Sequence, residues 1–281
     1  MKRYIYKQLL AWKNEKEHKP LILNGARQVG KTYILREFGR NEYKRMAFFS
    51  LDRDQKALEI FNKGGRATDM LMALSAICHE DITPHDTLVV LDEIQNCPKA
   101  LEALKFFCEE TPEIDIVVAG SLLGLSIHSG VSYPVGKVEE LHLYPMTFLE
   151  FLEAMGKTQL VNLLENKNWT VINMLETELI SSLRQYYYVG GMPAAVLAHI
   201  EKKGWKEVRR IQQQIITDYR RDFSKHAPTR EIPRINMVWD SIPAQLAKEN
   251  KKFVYGAVKK SARAADFEMA IQWLIDAGLA Y

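Results

Sequence analysis

Leu21-Ile22-Leu23-Asn24-Gly25-Ala26-Arg27-Gln28-Val29-Gly30-Lys31-Thr32 is the stretch whose reading decides the fold. From Gly25 onward it fits Gly-x-x-x-x-Gly-Lys-Ser/Thr, a phosphate-binding loop. Leu21 to Leu23 form an apolar run that reads as a short buried strand, and Thr32 to Phe38 read as a helix. This strand–loop–helix setting is what gives the motif its meaning. Gly25 and Gly30 let the backbone turn tightly and come close to ligand oxygens. Successive N–H groups then form an anion-binding concavity that ends at a helix N-terminus, where partial positive charge favours phosphate. Lys31 can reach β- and γ-phosphates, and Thr32 can hold a magnesium ion. The flanking Ala26, Arg27, Gln28, Val29 and Tyr33 complete the set expected to touch nucleotide.

Thr87-Leu88-Val89-Val90-Leu91-Asp92-Glu93 supplies the second half of a site. An uninterrupted apolar run is the pattern of a strand buried on both faces of a parallel sheet. Ligands in such sheets bind at the carboxyl ends of the strands, and the two acids stand at that end. Asp92 fits the metal-side carboxylate. Glu93 fits the base that orients or deprotonates an attacking water.

Working outward, Met1 to Glu17 carries Ile5, Leu9, Leu10 and Trp12 at helical spacing and predicts an entry helix. Arg45 to Leu51 predicts a second strand. Glu59 to Cys78 predicts helix, interrupted at Gly64-Gly65. Pro98 stands at a favourable first-turn position of a helix running towards Glu109. Ile114 to Ala119 predicts a further buried strand, and Val138 to Leu143 alternates charged and apolar residues like a strand near one edge. Ser121, just past Gly120, is either a sensor of the γ-phosphate or a plain turn serine.

From about Gly156 the strand-like runs stop and long amphipathic stretches take over, the signature of a helical lid. Inside it, Gly190-Gly191-Met192-Pro193 reads as a hinge or as a rigid ring set against a base. After a linker at Pro228 to Pro233, three helices are predicted over Asn236–Asn250, Ala257–Arg263 and Phe267–Gly278, a unit that resembles a winged helix. Lys251, Lys252, Lys259, Lys260 and Arg263 make it basic, with Phe253 and Tyr255 interleaved. Contact with DNA and a solvated helical face both account for this. The division read from the sequence is thus residues 1–155, 156–227 and 228–281.

The chain has 281 residues and a formal net charge of +3, which by itself argues for neither nucleic acid nor an anionic membrane. Cys78, Cys97 and Cys108 show no Cys-x-x-Cys spacing. An odd count without a secretory h-region is expected of reduced thiols in a cytoplasmic protein, with Cys78 and Cys108 in apolar helical core. No run has the length of a membrane span. Nothing like the Asn-Lys-x-Asp element that reads guanine follows the strands.

Taken together, Pro20 to Thr32, Leu91-Asp92-Glu93-Ile94-Gln95, Ala119-Gly120-Ser121, Leu143 to Phe151, Gly190-Gly191-Met192-Pro193 and Lys252-Phe253 to Gly278 resemble a family of prokaryotic AAA-type ATPases over nearly the whole chain. The resemblance implies an α/β fold: a three-layer P-loop domain whose parallel sheet carries an additional strand between the loop-bearing and acid-tipped strands. A helical lid and a winged-helix-like unit would follow. It implies ATP with Mg2+, and it places Pro193 near adenine. Members usually continue into a nuclease-like domain, whose acids and lysine would lie beyond Tyr281. Two departures stand out. AAA proteins often carry asparagine where Ser121 stands. The family often shows arginine where Lys137 stands, and a lysine offers a point charge instead of a planar fork. Arg27, Arg184, Arg220 and Arg221 are the other cations available to a transition state. The reading is a magnesium-dependent ATPase whose nucleotide state is coupled to its C-terminal unit. The alternative is a nucleotide-gated switch for DNA, a protein partner or a second copy, with negligible turnover.

Overall fold

The structure, a computed structural model, describes residues 1–120, 133–248 and 252–280. Its frame is a sheet of five parallel strands: β1 Leu21–Asn24, β2 Arg45–Ser50, β3 Thr87–Asp92, β4 Asp115–Gly120 and β5 Glu139–His142. The order across the sheet is β2-β3-β4-β1-β5. β4 therefore lies between the loop-bearing strand and the acid-tipped strand, as the additional-strand class requires. Register aligns the carboxyl ends. Asn24 pairs with Gly120 on one side and His142 on the other, while Asp92 pairs with Ser50 and Ala119.

β1, β3 and β4 are buried along their whole length, which explains their lack of polar alternation. β5 alternates between half-buried and exposed residues and closes one edge. On one face Leu21, Leu23, Leu88, Val90, Val117 and Ala119 pack against two helices. These are α1 (Ile5–Asn14), through Leu9 and Trp12, and α2 (Lys31–Glu42), through Ile34, Leu35 and Phe38. Ile22, Val89, Leu91, Ile116 and Val118 alternate onto the other face and are equally buried. Helices α3 (Gln55–Lys63), α4 (Ala67–Cys78) and α5 (Pro98–Glu110) pack together, with Phe61 edge-on to Phe107 at 6.4 Å. Each large apolar side chain withdrawn from water in this way contributes roughly 1.5–3 kcal/mol.

The segment after β5 enters helix α6 (Phe148–Ala154) through a capping box. Thr147 Oγ1 accepts from the Glu150 N–H at 3.2 Å, and Glu150 Oε2 accepts from the Thr147 N–H at 2.8 Å. Further helices follow: α7 (Thr158–Glu165), α8 (Trp169–Met174), α9 (Glu176–Val189), α10 (Pro193–Ile200) and the long α11 (Trp205–His226). Among the described residues, one compact unit comprises 1–120 and 133–212, and a second comprises 213–248 and 252–280.

The second unit is built on Phe223, which meets Trp239 and Trp273 edge-on at 5.4 and 5.5 Å. Helices α12 (Ile232–Leu246) and α14 (Ala264–Asp276) supply Ile235, Val238, Phe267, Ala270 and Leu274 to its core. Among the described residues no strand follows β5. The middle helix is shorter than the sequence suggests. α13 covers only Tyr255–Val258: the chain turns extended at Lys259 (φ −153°, ψ 139°) and left-handed at Ser261, whose φ is +64°. The cysteines also need correction. Cys97 is the fully buried one, whereas Cys78 and Cys108 are half-buried where their helices meet solvent.

Candidate functional site: a phosphate loop beside two acids

The chain turns at Gly25 because nothing larger fits. A Cβ there would stand 2.3 Å from the Leu143 carbonyl oxygen. That approach is fixed by the Leu143 N–H, which donates to the Asn24 carbonyl at 2.8 Å. The loop passes through left-handed backbone at Gln28 (φ +62°) and Gly30 (φ +99°), and Lys31 opens α2. Val29 is fully buried beneath the loop, Ala26 and Arg27 are half-buried, and Gln28 and Tyr33 are exposed. Lys31 Nζ folds back to donate to the carbonyls of Gly25 at 2.8 Å and Ala26 at 2.9 Å. Burial lowers the Lys31 ammonium to about 8; Glu93 and Asp92 pull it upward, and Arg27 pushes it further down.

Asp92 ends β3 next to the loop. Thr32 Oγ1 donates to Asp92 Oδ2 at 2.7 Å. The Glu93 N–H donates to Asp92 Oδ1 at 3.1 Å. Burial raises the Asp92 carboxyl above its ordinary value, against the lowering effect of the Thr32 hydrogen bond. Glu93 itself stands in left-handed backbone at φ +57°, a region that costs a non-glycine residue on the order of 1 kcal/mol or more. Its carboxylate accepts a hydrogen bond from the side-chain amide of Gln95. Ser121 lies outside the described residues, one position past the end of β4.

Gly191 explains the Gly-Gly-x-Pro element. A Cβ on Gly191 would come within 2.3 Å of the Met146 carbonyl oxygen. The two backbones are joined there, the Met146 N–H donating to the Gly191 carbonyl at 2.7 Å. Tyr186 adds its hydroxyl, donating to the Met146 carbonyl at 2.8 Å. Pro193 then opens α10 in the first turn, where its missing N–H costs nothing. It lines a cavity of about 280 Å³ with Met1, Arg3, Gly30, Tyr33, Ala194 and Leu197. Loop glycine, loop tyrosine and lid proline thus share one largely apolar recess.

Two residues that the motif reading passed over support this arrangement. Arg3 and Glu150 are both buried, and Arg3 Nε donates to Glu150 Oε1 at 3.1 Å. The capping-box spacing Thr147-x-x-Glu150 was a signal for Glu150; nothing local marked Arg3. Three of the candidate cations outside the loop have other partners. Lys137 pairs with Glu109 at 2.9 Å, Arg220 with Asp240 at 2.5 Å, and Arg221 with Asp218 at 3.5 Å. Arg184 lines a different cavity, of about 670 Å³, with Tyr188 and Trp205.

A glycine-bounded loop on the central strand, an acid-tipped strand beyond an inserted neighbour and a threonine bonded to that acid define a P-loop NTPase of the additional-strand class. Residues 17–152 match the family model described as an AAA domain, and residues 180–281 match a domain of unknown function, DUF8612. Over residues 17–152 the sequence is thus similar to AAA-type P-loop ATPases. Among solved structures it is similar to a Walker-type ATPase of Pyrococcus abyssi, with 14% identity and a TM-score of 0.60 over 98% of this chain and 89% of that one. It is also similar to an ORC2 protein of Aeropyrum pernix in ADPNP and ADP complexes, with 13% identity and a TM-score of 0.46 over 98% and 84%. At these identities the likeness concerns the fold alone. No curated protein matches the sequence.

Proposed function

We propose that this protein binds ATP in the Gly25–Thr32 loop and hydrolyses it with magnesium. The observation that carries this reading is the 2.7 Å bond between Thr32 and Asp92. It joins the hydroxyl next to the loop lysine to the buried carboxylate of the acid-tipped strand, so one site holds phosphate-binding and metal-binding groups together. A hydroxyl and a carboxylate in contact are the oxygen donors that a hard divalent cation takes. A nearby cation would also offset the burial that opposes charge on Asp92. When bound, magnesium supplies charge neutralisation at the phosphate oxygens.

The chain's own groups do the rest. The ammonium of Lys31 exchanges its two loop carbonyls for β- and γ-phosphate oxygens. The amides from Gly25 to Thr32 hold the phosphates in a fixed cradle. Glu93 orients the attacking water and takes its proton. The recess lined by Tyr33 and Pro193 receives the base. The helices after Gly156 act as a lid, and the C-terminal helices act as a winged-helix-like unit that reads the nucleotide state.

One observation favours a second reading, a nucleotide-gated switch with little turnover. The Glu93 carboxylate is engaged by the Gln95 amide and must be released before it can serve a water. The cations Lys252, Lys259, Lys260 and Arg263 are exposed beside Phe253 and Tyr255, which suits a DNA backbone as the thing switched. A steady-state phosphate-release assay on the protein and on Glu93→Gln, with and without duplex DNA, separates the two. Turnover lost in the variant supports the ATPase. Equal rates in both remove Glu93 from its role, and tight ATP binding with no release in either leaves the switch.

A further inference from the structure

We infer that Arg3 is a positioning residue of the nucleotide site, setting the phosphate loop from below and tying it to the segment on which the lid element rests. The guanidinium makes three directed bonds at once. Nη1 donates to the Val29 carbonyl at 2.9 Å, Nη2 to the Tyr144 carbonyl at 2.5 Å, and Nε to Glu150 Oε1 at 3.1 Å. The same Glu150 oxygen accepts the Tyr4 N–H at 2.8 Å, which fixes the chain next to Arg3.

The bond to Val29 matters because a trans peptide is planar, with its C=O and N–H pointing in opposite directions. The chain has no cis peptide among its described residues. Holding the Val29 carbonyl towards Arg3 therefore aims the Gly30 N–H away from Arg3, as the cradle requires. Gly30 lies in left-handed backbone and has no side chain to hold it there. An external anchor on the preceding carbonyl supplies that restraint. Arg3 also lines the recess shared by Gly30, Tyr33 and Pro193.

The other two bonds reach the segment Leu143 to Glu150. Tyr144 stands two residues before Met146, whose N–H and carbonyl hold Gly191 and Tyr186. One guanidinium thus binds, in a single plane, the phosphate loop and the strap that seats the Gly190–Pro193 element. A lysine keeps the charge but cannot reach three acceptors in that fork.

This inference deepens the nucleotide-site reading and rests on it for its functional consequence. The test uses the full chain with Arg3→Lys, and Arg3→Met combined with Glu150→Gln so that no lone buried charge is left to unfold the protein. Hydrogen exchange at Gly30 and Lys31 in nucleotide-free protein reads the loop directly. The β2 amides serve as an internal control, which a general loss of stability would also move. In parallel, ADP and inorganic tripolyphosphate are titrated. The expected result is faster exchange in the loop with β2 unchanged, and affinities for both ligands reduced by a similar factor of about ten, the scale of one lost charge-assisted hydrogen bond. Unchanged loop exchange together with unchanged affinity in folded variants overturns the assignment, as does a loss confined to proteins whose β2 amides exchange equally fast. If the loop loosens but the parent protein binds neither ligand, Arg3 keeps its role and the nucleotide reading fails.

Discussion

The two ends of the β-sheet each hold a buried aspartate, Asp92 at one and Asp115 at the other, and use it in opposite ways. At the carboxyl ends, Lys31, Asp92 and Glu93 converge beside a loop of backbone amides. Their side-chain contacts are single polar groups open to exchange: two carbonyls for Lys31, the Thr32 hydroxyl for Asp92 beside the Glu93 N–H, and an amide for Glu93. At the amino ends, Asp115 is buried against a histidine. His18 Nε2 approaches it at 3.0 Å with both side chains nearly inaccessible, and His18 stacks on Trp12 at 4.5 Å. Tyr43 lies close by, its hydroxyl held well above the ordinary phenol range by burial and then by Asp115. The first end leaves charge unneutralised and costs stability. The second closes a knot between the start of β4 and the segments flanking α1 and α2.

The comparison breaks most sharply on chemistry. Glu93→Gln should lower phosphate release by about 10²–10⁴, the contribution of a positioned general base, while ATP affinity holds. No change at the amino end should do this. The next effect is on stability. Asp115→Ala leaves His18 without its buried counter-charge and should cost about 3–5 kcal/mol in denaturant unfolding, with nucleotide affinity per folded molecule unchanged. If Asp115→Ala instead weakens nucleotide binding at full stability, the two ends are not functionally separate.

Acidity sharpens the contrast further. Lys31 is depressed to about 8, below its unfolded value, so the unfolded chain binds more protons between about pH 8 and 10.4 and the Lys31 contribution to stability rises with pH there. Triphosphate favours the charged ammonium, so nucleotide affinity should fall as pH climbs past 8, approaching tenfold per unit where Lys31 must take up a proton to bind. His18 behaves in reverse. Its close contact with the Asp115 carboxylate raises it, burial opposing. The stabilisation it gives is complete below the unfolded value of about 6.5 and is lost as pH rises through the higher folded value. Unfolding midpoints of the parent and His18→Gln should therefore converge as pH rises above that range. A difference that grows with pH would contradict the sign.

Much of this was legible in the sequence, and the reason is locality. The loop from Gly25 to Thr32 carries its own glycines, lysine and threonine, and the all-apolar run before Asp92 announces a buried strand. Strand order was legible only through the family likeness, since pairing of β4 with β1 joins residues far apart in the chain. Arg3 stayed hidden for the same reason: its acceptors lie on Val29, Tyr144 and Glu150, and no periodicity links an entry-helix arginine to backbone carbonyls. Gly191 read as a hinge because its neighbour, the Met146 carbonyl, is invisible from spacing. The middle C-terminal helix was overextended because Lys259 and Lys260 are good helix formers, whereas the backbone is already extended at Lys259 and Asp266 Oδ2 accepts the Arg263 N–H to start the next helix.

The central claim is that the amides and ammonium of this loop receive a triphosphate beside Asp92. Calorimetric titration of ATP with magnesium into the parent protein and Lys31→Ala tests it most directly. The account predicts saturable one-site binding to the parent, and affinity reduced at least about a hundredfold in the variant, or some 2.7 kcal/mol. Equal binding by both proteins, or no heat and no thermal shift with the parent, would contradict it.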